Sequence, residues 1–302
     1  MATVRLDGVR LAYDDVGEGP AVVLVHAGIA DRRMWDDQVT ALSPAHRVVR
    51  YDWRGYGESG EARGRFAHHR DLLGLLDALH IECATVVGAS MGAAYAVDAA
   101  LVAPHRVSGL VLLGPGLSGH TWPEAMLTET RERVHSAVPA DRLARYRAGT
   151  AEHIEPADVM AMALAQARFL VAGPSRDPDT VSPAVWDRAV TMLCDVFRRL
   201  WTAPEHVALQ PDSPATERLG ELSMPVTVVN GEADAPWIQD VAELVHTGVP
   251  HARRLDLPGV GHLPALERPR EVTAAILDTV REGRPRRPSV SPSSSDRRSS
   301  RG

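Results

Sequence analysis

The sequence predicts an α/β fold, a mostly parallel sheet with flanking helices and one helical insertion. Three observations predict it. Short apolar, β-prone runs alternate with helical patterns, as strands joined by crossover helices require. One such run meets Gly88-Ala89-Ser90-Met91-Gly92, and a helix of small residues follows at once. The alternation then stops between Gly114 and Met224 and resumes at Met224-Pro225-Val226.

Taken in order, the apolar runs place strands at 9–13, 21–26, 47–51, 85–88, 107–113, 226–230 and 253–257. Helical patterns between them fall at 32–42, 66–79, 91–102, 236–245 and 270–281. Within the interruption, amphipathic segments at 158–170 and 183–201 are separated by Gly-Pro and Asp-Pro breakers, and no strand is expected there. The predicted organisation is therefore a sheet domain from 1–116 and 220–283 with a helical cap at 117–219. An apolar cap over one end of a sheet excludes water and shapes a pocket, so its residues are expected to choose the substrate. The alternative is an independent helical domain.

With 302 residues and 44% hydrophobic content, the chain can bury a large core as one α/β domain with an insertion. The net charge of −6 is uneven, because residues 284–302 carry a balance of +5 and so leave −11 on residues 1–283. An acidic body excludes nucleic acid as the expected partner of the folded part. The Arg/Ser/Pro tail at 284–302 has almost nothing to bury and is expected to be disordered. All 33 basic residues are Arg, and no function is drawn from that. Cys83 and Cys194 have no metal or disulfide spacing, and the start of the chain lacks the apolar stretch of a signal peptide. No run reaches the length of a membrane span. A cytoplasmic protein acting on a small molecule, without a membrane partner, is expected; oligomeric state is not readable.

The chemistry rests on the run around Ser90. A serine at the tip of a sharp strand-to-helix turn needs very small neighbours two residues either side, which Gly88 and Gly92 supply. Such a serine needs a base, and the base needs a carboxylate that orients it. Both partners are expected on loops after later strands. Asp234 follows the strand at 226–230, and His262 lies in a Gly-flanked loop after the strand at 253–257. Glu232 competes with Asp234 for the acid. The end of the strand at 107–113 offers only Gly114-Pro115-Gly116 and no carboxylate. Oxyanion donors are expected from the backbone N–H groups of Met91 and of Gly28, with Ala27 as the alternative to Gly28. His26 is expected to brace that loop. Neighbouring His68 and His69 diverge on a helix, so no metal site is expected, and no nucleotide motif or other cofactor signal is present.

These motifs resemble the α/β-hydrolase superfamily over roughly residues 8–283. Asp52-Trp53-Arg54-Gly55-Tyr56-Gly57-Glu58-Ser59 is similar to the D-x-R-G-x-G-x-S loop of its capped members. The resemblance implies architectural roles for Asp52 and Arg54. Ser90 departs from the elbow aspartate of dehalogenases and epoxide hydrolases, and His26-Ala27-Gly28 departs from the common His-Gly pair. The general look is of capped carboxylesterases, enol-lactonases and perhydrolases. The expected activity is hydrolysis of a small to medium ester, thioester or lactone, with perhydrolysis, acyl transfer, C–C hydrolysis or a non-turnover receptor as alternatives.

Overall fold

The computed structural model describes residues 1–283, so the expectation attached to 284–302 lies outside the described residues. The chain runs β1 (Ala2–Leu6), β2 (Val9–Val16), β3 (Ala21–Val25), α1 (Asp36–Leu42), β4 (Arg47–Tyr51), β5 (Gly64–Phe66), α2 (His68–Ala78), β6 (Ala84–Ala89), α3 (Met91–Val102) and β7 (Val107–Leu113). Four insertion helices follow, α4 (Glu124–Arg133), α5 (Ala140–Arg147), α6 (Pro156–Gln166) and α7 (Pro183–Thr202), and then β8 (His206–Ala208). Next come β9 (Val226–Gly231), α8 (Pro236–Gly248), β10 (Arg253–Leu257), α9 (Pro264–Glu267) and α10 (Pro269–Glu282).

Eight strands form one sheet in the order β1-β2-β4-β3-β6-β7-β9-β10. The pairs β1/β2 and β2/β4 are antiparallel, and every pair from β4 to β10 is parallel. Successive residues of a strand face opposite sides, so Val22 and Leu24 join one apolar cluster while Val23 and Val25 join the other. The first cluster continues without a break into the insertion through Val134, Met162, Phe169, Leu193 and Trp201. That shared core makes the insertion a cap packed on the sheet domain rather than a separate body. Chain order reverses direction between β3 and β6, and in such sheets the crevice beyond the carboxyl ends of the two strands is the natural ligand site.

Several elements differ from the sequence reading. β1 lies outside the expected strands, because its residues alternate apolar with polar and form no apolar run. Its hairpin turn is Asp7-Gly8 with φ of 45° and 79°, the left-handed pair that a two-residue turn needs. The helix expected at 32–42 is a 3₁₀ turn at Arg32–Trp35 followed by α1, and Asp31 caps the turn by accepting the Arg33 N–H at 2.9 Å. The insertion contains a strand, contrary to expectation: β8 pairs in parallel with β5, whose last residue, Phe66, falls in the helix expected at 66–79. These three-residue strands are held by a partner far along the chain, so neither carries a local signal. Among the described residues, no helix is long and apolar enough to cross a membrane.

Candidate active site

Ser90 sits between β6 and α3 with φ 53° and ψ −121°, a left-handed conformation that costs a non-glycine residue about 1–3 kcal/mol. Close backbone approach explains the glycines around it. A Cβ on Gly88 would lie 2.5 Å from the Gly92 carbonyl oxygen, and one on Gly92 would lie 2.3 Å from the His26 carbonyl oxygen. The turn is held by the Ser90 N–H donating to Leu113 O at 2.8 Å and the Gly116 N–H donating to Ser90 O at 2.9 Å. Ser90 Oγ itself has no hydrogen bond among the described residues, and the side chain is half-buried.

Asp234 and His262 come together as a buried pair. His262 Nδ1–H donates to Asp234 Oδ2 at 2.6 Å, and Asp234 Oδ1 accepts the Ala235 N–H at 2.7 Å. This bond fixes the tautomer, so Nε2 carries the lone pair of a base. The loops bearing the two residues touch backbone to backbone, since a Cβ on Gly231 would lie 2.3 Å from Gly261 O. Gly114, with φ 47°, closes the space from the third side, where a Cβ would be 3.2 Å from both Asp234 Oδ2 and His262 Nδ1. The segment 114–116 therefore runs from the Asp–His pair to the Ser90 carbonyl. Glu232, the competing carboxylate, is exposed.

The loop after β3, expected to supply an oxyanion donor, lies against the start of α3, because a Cβ on Gly28 would be 3.2 Å from Met91 Sδ. Neither the Gly28 nor the Met91 N–H has a partner among the described residues, whereas the Ala27 N–H donates to Met34 Sδ at 3.4 Å. A helix leaves its first amides unpaired, so Met91 presents its N–H at the positive end of α3. His26 braces the loop: Nδ1–H donates to Ala27 O at 2.8 Å, and Nε2 accepts the Trp53 N–H at 3.1 Å. Burial lowers the His26 pKa, which agrees with a neutral ring used on both nitrogens. Asp52 accepts the N–H groups of Arg32 at 2.8 Å and Glu58 at 2.9 Å, and Arg54 forms a buried bidentate pair with Asp71. Both are structural supports of the 52–59 loop.

Three participants were not singled out in the sequence. Gly116 and Leu170 act through main-chain groups, Leu170 O accepting the His262 N–H at 3.0 Å, and no residue type marks such a role. Tyr56 places its hydroxyl 3.9 Å from where a Gly28 Cβ would stand, and burial pushes this phenol up to about 12. Phe169 and Trp186, both in the cap, line two adjoining cavities of about 600 and 730 Å³ that share Leu164, Arg168 and Pro178. Ser90 and His262 line neither cavity.

The sequence profile described as alpha/beta hydrolase fold matches residues 20–269. Over 133 residues the chain is 35% identical to a 2-hydroxy-6-oxononadienedioate/2-hydroxy-6-oxononatrienedioate hydrolase of Comamonas testosteroni, a match covering 41% of this chain and 46% of that protein. The chain thus spans about half the length of that curated relative. A Mycobacterium tuberculosis protein named as a non-heme bromoperoxidase is 29% identical over 282 residues, 89% of this chain and 97% of its own. The solved structure of a thermophilic esterase from Thermogutta terrifontis is 28% identical with a TM-score of 0.72, covering 93% of this chain and 97% of that one. The strand order, the serine turn between β6 and α3 and a profile match spanning most of the chain lead to one conclusion: this protein belongs to the alpha/beta hydrolase fold family.

Proposed function

We propose that the protein is a serine hydrolase that cleaves a small to medium ester, thioester or lactone through an acyl-enzyme on Ser90. The observation that carries this reading is the buried Asp234–His262 pair at 2.6 Å, joined through segment 114–116 to a serine in strained backbone geometry. In this mechanism Ser90 Oγ attacks the substrate carbonyl carbon while His262 Nε2 takes its proton. The carbonyl oxygen gathers negative charge, which the N–H groups of Gly28 and Met91 stabilise. The Ala27 N–H, committed to Met34, is the weaker candidate for that role. Collapse of the tetrahedral intermediate breaks the bond to the alcohol or thiol, which leaves with the proton from His262. Water, deprotonated by the same imidazole, then frees the acid and restores Ser90. Asp234 stabilises the imidazolium in both halves.

The esterase likeness over nearly the whole chain supports carboxylic ester chemistry. A second reading, C–C bond hydrolysis with the same residues, is favoured by the 35% identity to the Comamonas testosteroni hydrolase. The test is a fluorophosphonate probe together with steady-state kinetics on panels of acyl esters, thioesters, lactones and vinylogous 1,5-diketones. Labelling at Ser90, multiple turnover of an ester, and loss of at least about a thousandfold in Ser90→Ala are the expected results. Turnover confined to the diketones would select the second reading, and labelling without turnover of any substrate would mark a receptor.

A further inference from the structure

We propose that Arg176 and Glu267 are positioning residues that make the cap part of the catalytic apparatus, by clamping the loop that carries His262. The inference rests on the hydrolase reading above. Its starting point is the end of α6, which widens into a π-helical turn at Ala167–Ala172 and stops at Gly173, φ 98°. The last carbonyls of a helix have no intrahelical partner. Here Leu170 O accepts the His262 N–H at 3.0 Å, and Val171 O accepts Arg176 Nη2 at 3.4 Å. Gly173 packs so closely on the acid loop that a Cβ would overlap the Ala233 carbonyl oxygen.

Arg176 and Glu267 complete this contact from the other side. Glu267 Oε1 accepts the Gly261 N–H at 2.8 Å, one residue before His262. Its second oxygen, Oε2, accepts Arg176 Nη2 at 2.7 Å, and Arg176 Nη1 donates to Gly259 O. Both side chains are largely buried, 13% and 7% exposed. One guanidinium from the cap thus holds one carboxylate and two carbonyls, and that carboxylate holds the amide next to the base. Every residue from Gly259 to His262 except Val260 is bonded either to the cap or to Glu267. Val260 O instead accepts the Ala233 N–H at 2.9 Å, which ties the same loop to the acid loop. A base held in this way keeps Nε2 where Ser90 needs it, and displacement of about 1 Å at such a group costs on the order of a hundredfold in rate.

The test uses the full chain carrying Arg176→Lys, Glu267→Gln and the charge-neutral double variant Arg176→Met/Glu267→Gln. Glu267→Ala is avoided because it removes the acceptor of the Gly261 N–H together with the counter-charge of Arg176. Glu267→Gln keeps an acceptor for the Gly261 N–H but no longer matches the fork. Expected are a fall in kcat of roughly 10–100-fold in Glu267→Gln with KM within about twofold, a double variant no worse than the more damaged single one, and a smaller loss in Arg176→Lys, which keeps the charge opposite Glu267. Amide hydrogen exchange of wild type and variants supplies a readout independent of turnover, with faster exchange expected in 167–173 and 257–263 together and unchanged exchange in β6. Wild-type kcat in folded variants, or exchange that changes in one segment alone, would overturn the clamp. A wild-type chain that neither labels at Ser90 nor turns over any substrate would instead overturn the hydrolase reading and the clamp's catalytic meaning with it.

Discussion

Ser118 Oγ–H donates to Asp98 Oδ1 at 2.5 Å, and the same hydroxyl oxygen accepts the Ala215 N–H at 2.9 Å. Through this hydroxyl a carboxylate buried on α3 is tied to the chain where it leaves β7 and where it returns toward β9. Both ends of the insertion are therefore fastened to the helix that begins at the serine turn. Burial pushes the Asp98 carboxyl up to about 6, against the smaller opposing effect of the Ser118 hydrogen bond.

A raised carboxyl pKa means that the folded state holds this proton more tightly than the unfolded chain does. Stability from Asp98 is therefore greatest below the unfolded value near 3.8 and is lost as pH rises through about 6. Asp98→Asn keeps the acceptor for Ser118 and removes the charge. We expect it to raise Tm at pH 7.5, with a gain of roughly 1–3 kcal/mol, and to lose that advantage below pH 4. Thermal melts of both proteins across pH 3.5–8 check this, and an advantage that stays constant with pH would show that the charge is not its source.

Asp234 and Glu232 flank the same strand end, but only Asp234 bonds His262. In Asp234→Asn the amide keeps the packing and cannot stabilise the imidazolium, so kcat is expected to fall by about a thousandfold or more. Glu232→Gln is expected to leave kcat within about twofold. Steady-state kinetics on one ester substrate decide it, and the reverse ranking would move the acid to Glu232.

Gly114→Ala forces a side chain into left-handed backbone and places it 3.2 Å from the Asp–His pair. Gly64→Ala is the matched control, because Gly64 has φ +63° with nothing within 4 Å. Each substitution is expected to lower stability by about 1–2 kcal/mol from backbone strain. Only Gly114→Ala is expected to reduce kcat as well, by roughly tenfold or more. Chemical denaturation and kinetics on the two variants separate the effects, and equal kcat values would mean that the pair tolerates the added methyl.

The order of strands and helices, the serine turn and the chain order Ser90, Asp234, His262 were legible because each is written locally. A parallel strand buried on both faces reads as a continuous apolar run, as at Ala21–Val25 and Ala84–Ala89. The Gly-x-Ser-x-Gly spacing reports a steric demand between residues four apart, which holds wherever the turn is placed. β1 was legible in principle from the Asp7-Gly8 turn and from the alternation Ala2-Thr3-Val4-Arg5-Leu6, whose Val4 and Leu6 pack on the core.

What only the tertiary structure decided depends on groups far apart in sequence. The pairing of β5 with β8 joins segments that have no strand pattern of their own. Side-chain direction in the 231–235 turn puts Asp234 inward and Glu232 outward, and that direction is set where Gly231 packs against the Gly261 carbonyl. The Ala27 N–H is taken up by Met34, which reaches it only once the 3₁₀ turn at Arg32–Trp35 has formed. Likewise, the bonds from Leu170, Arg176 and Glu267 to the His262 loop run largely through main-chain carbonyls and amides. Every residue has those groups, so a sequence can specify how the chain folds locally while leaving to packing which of them meet.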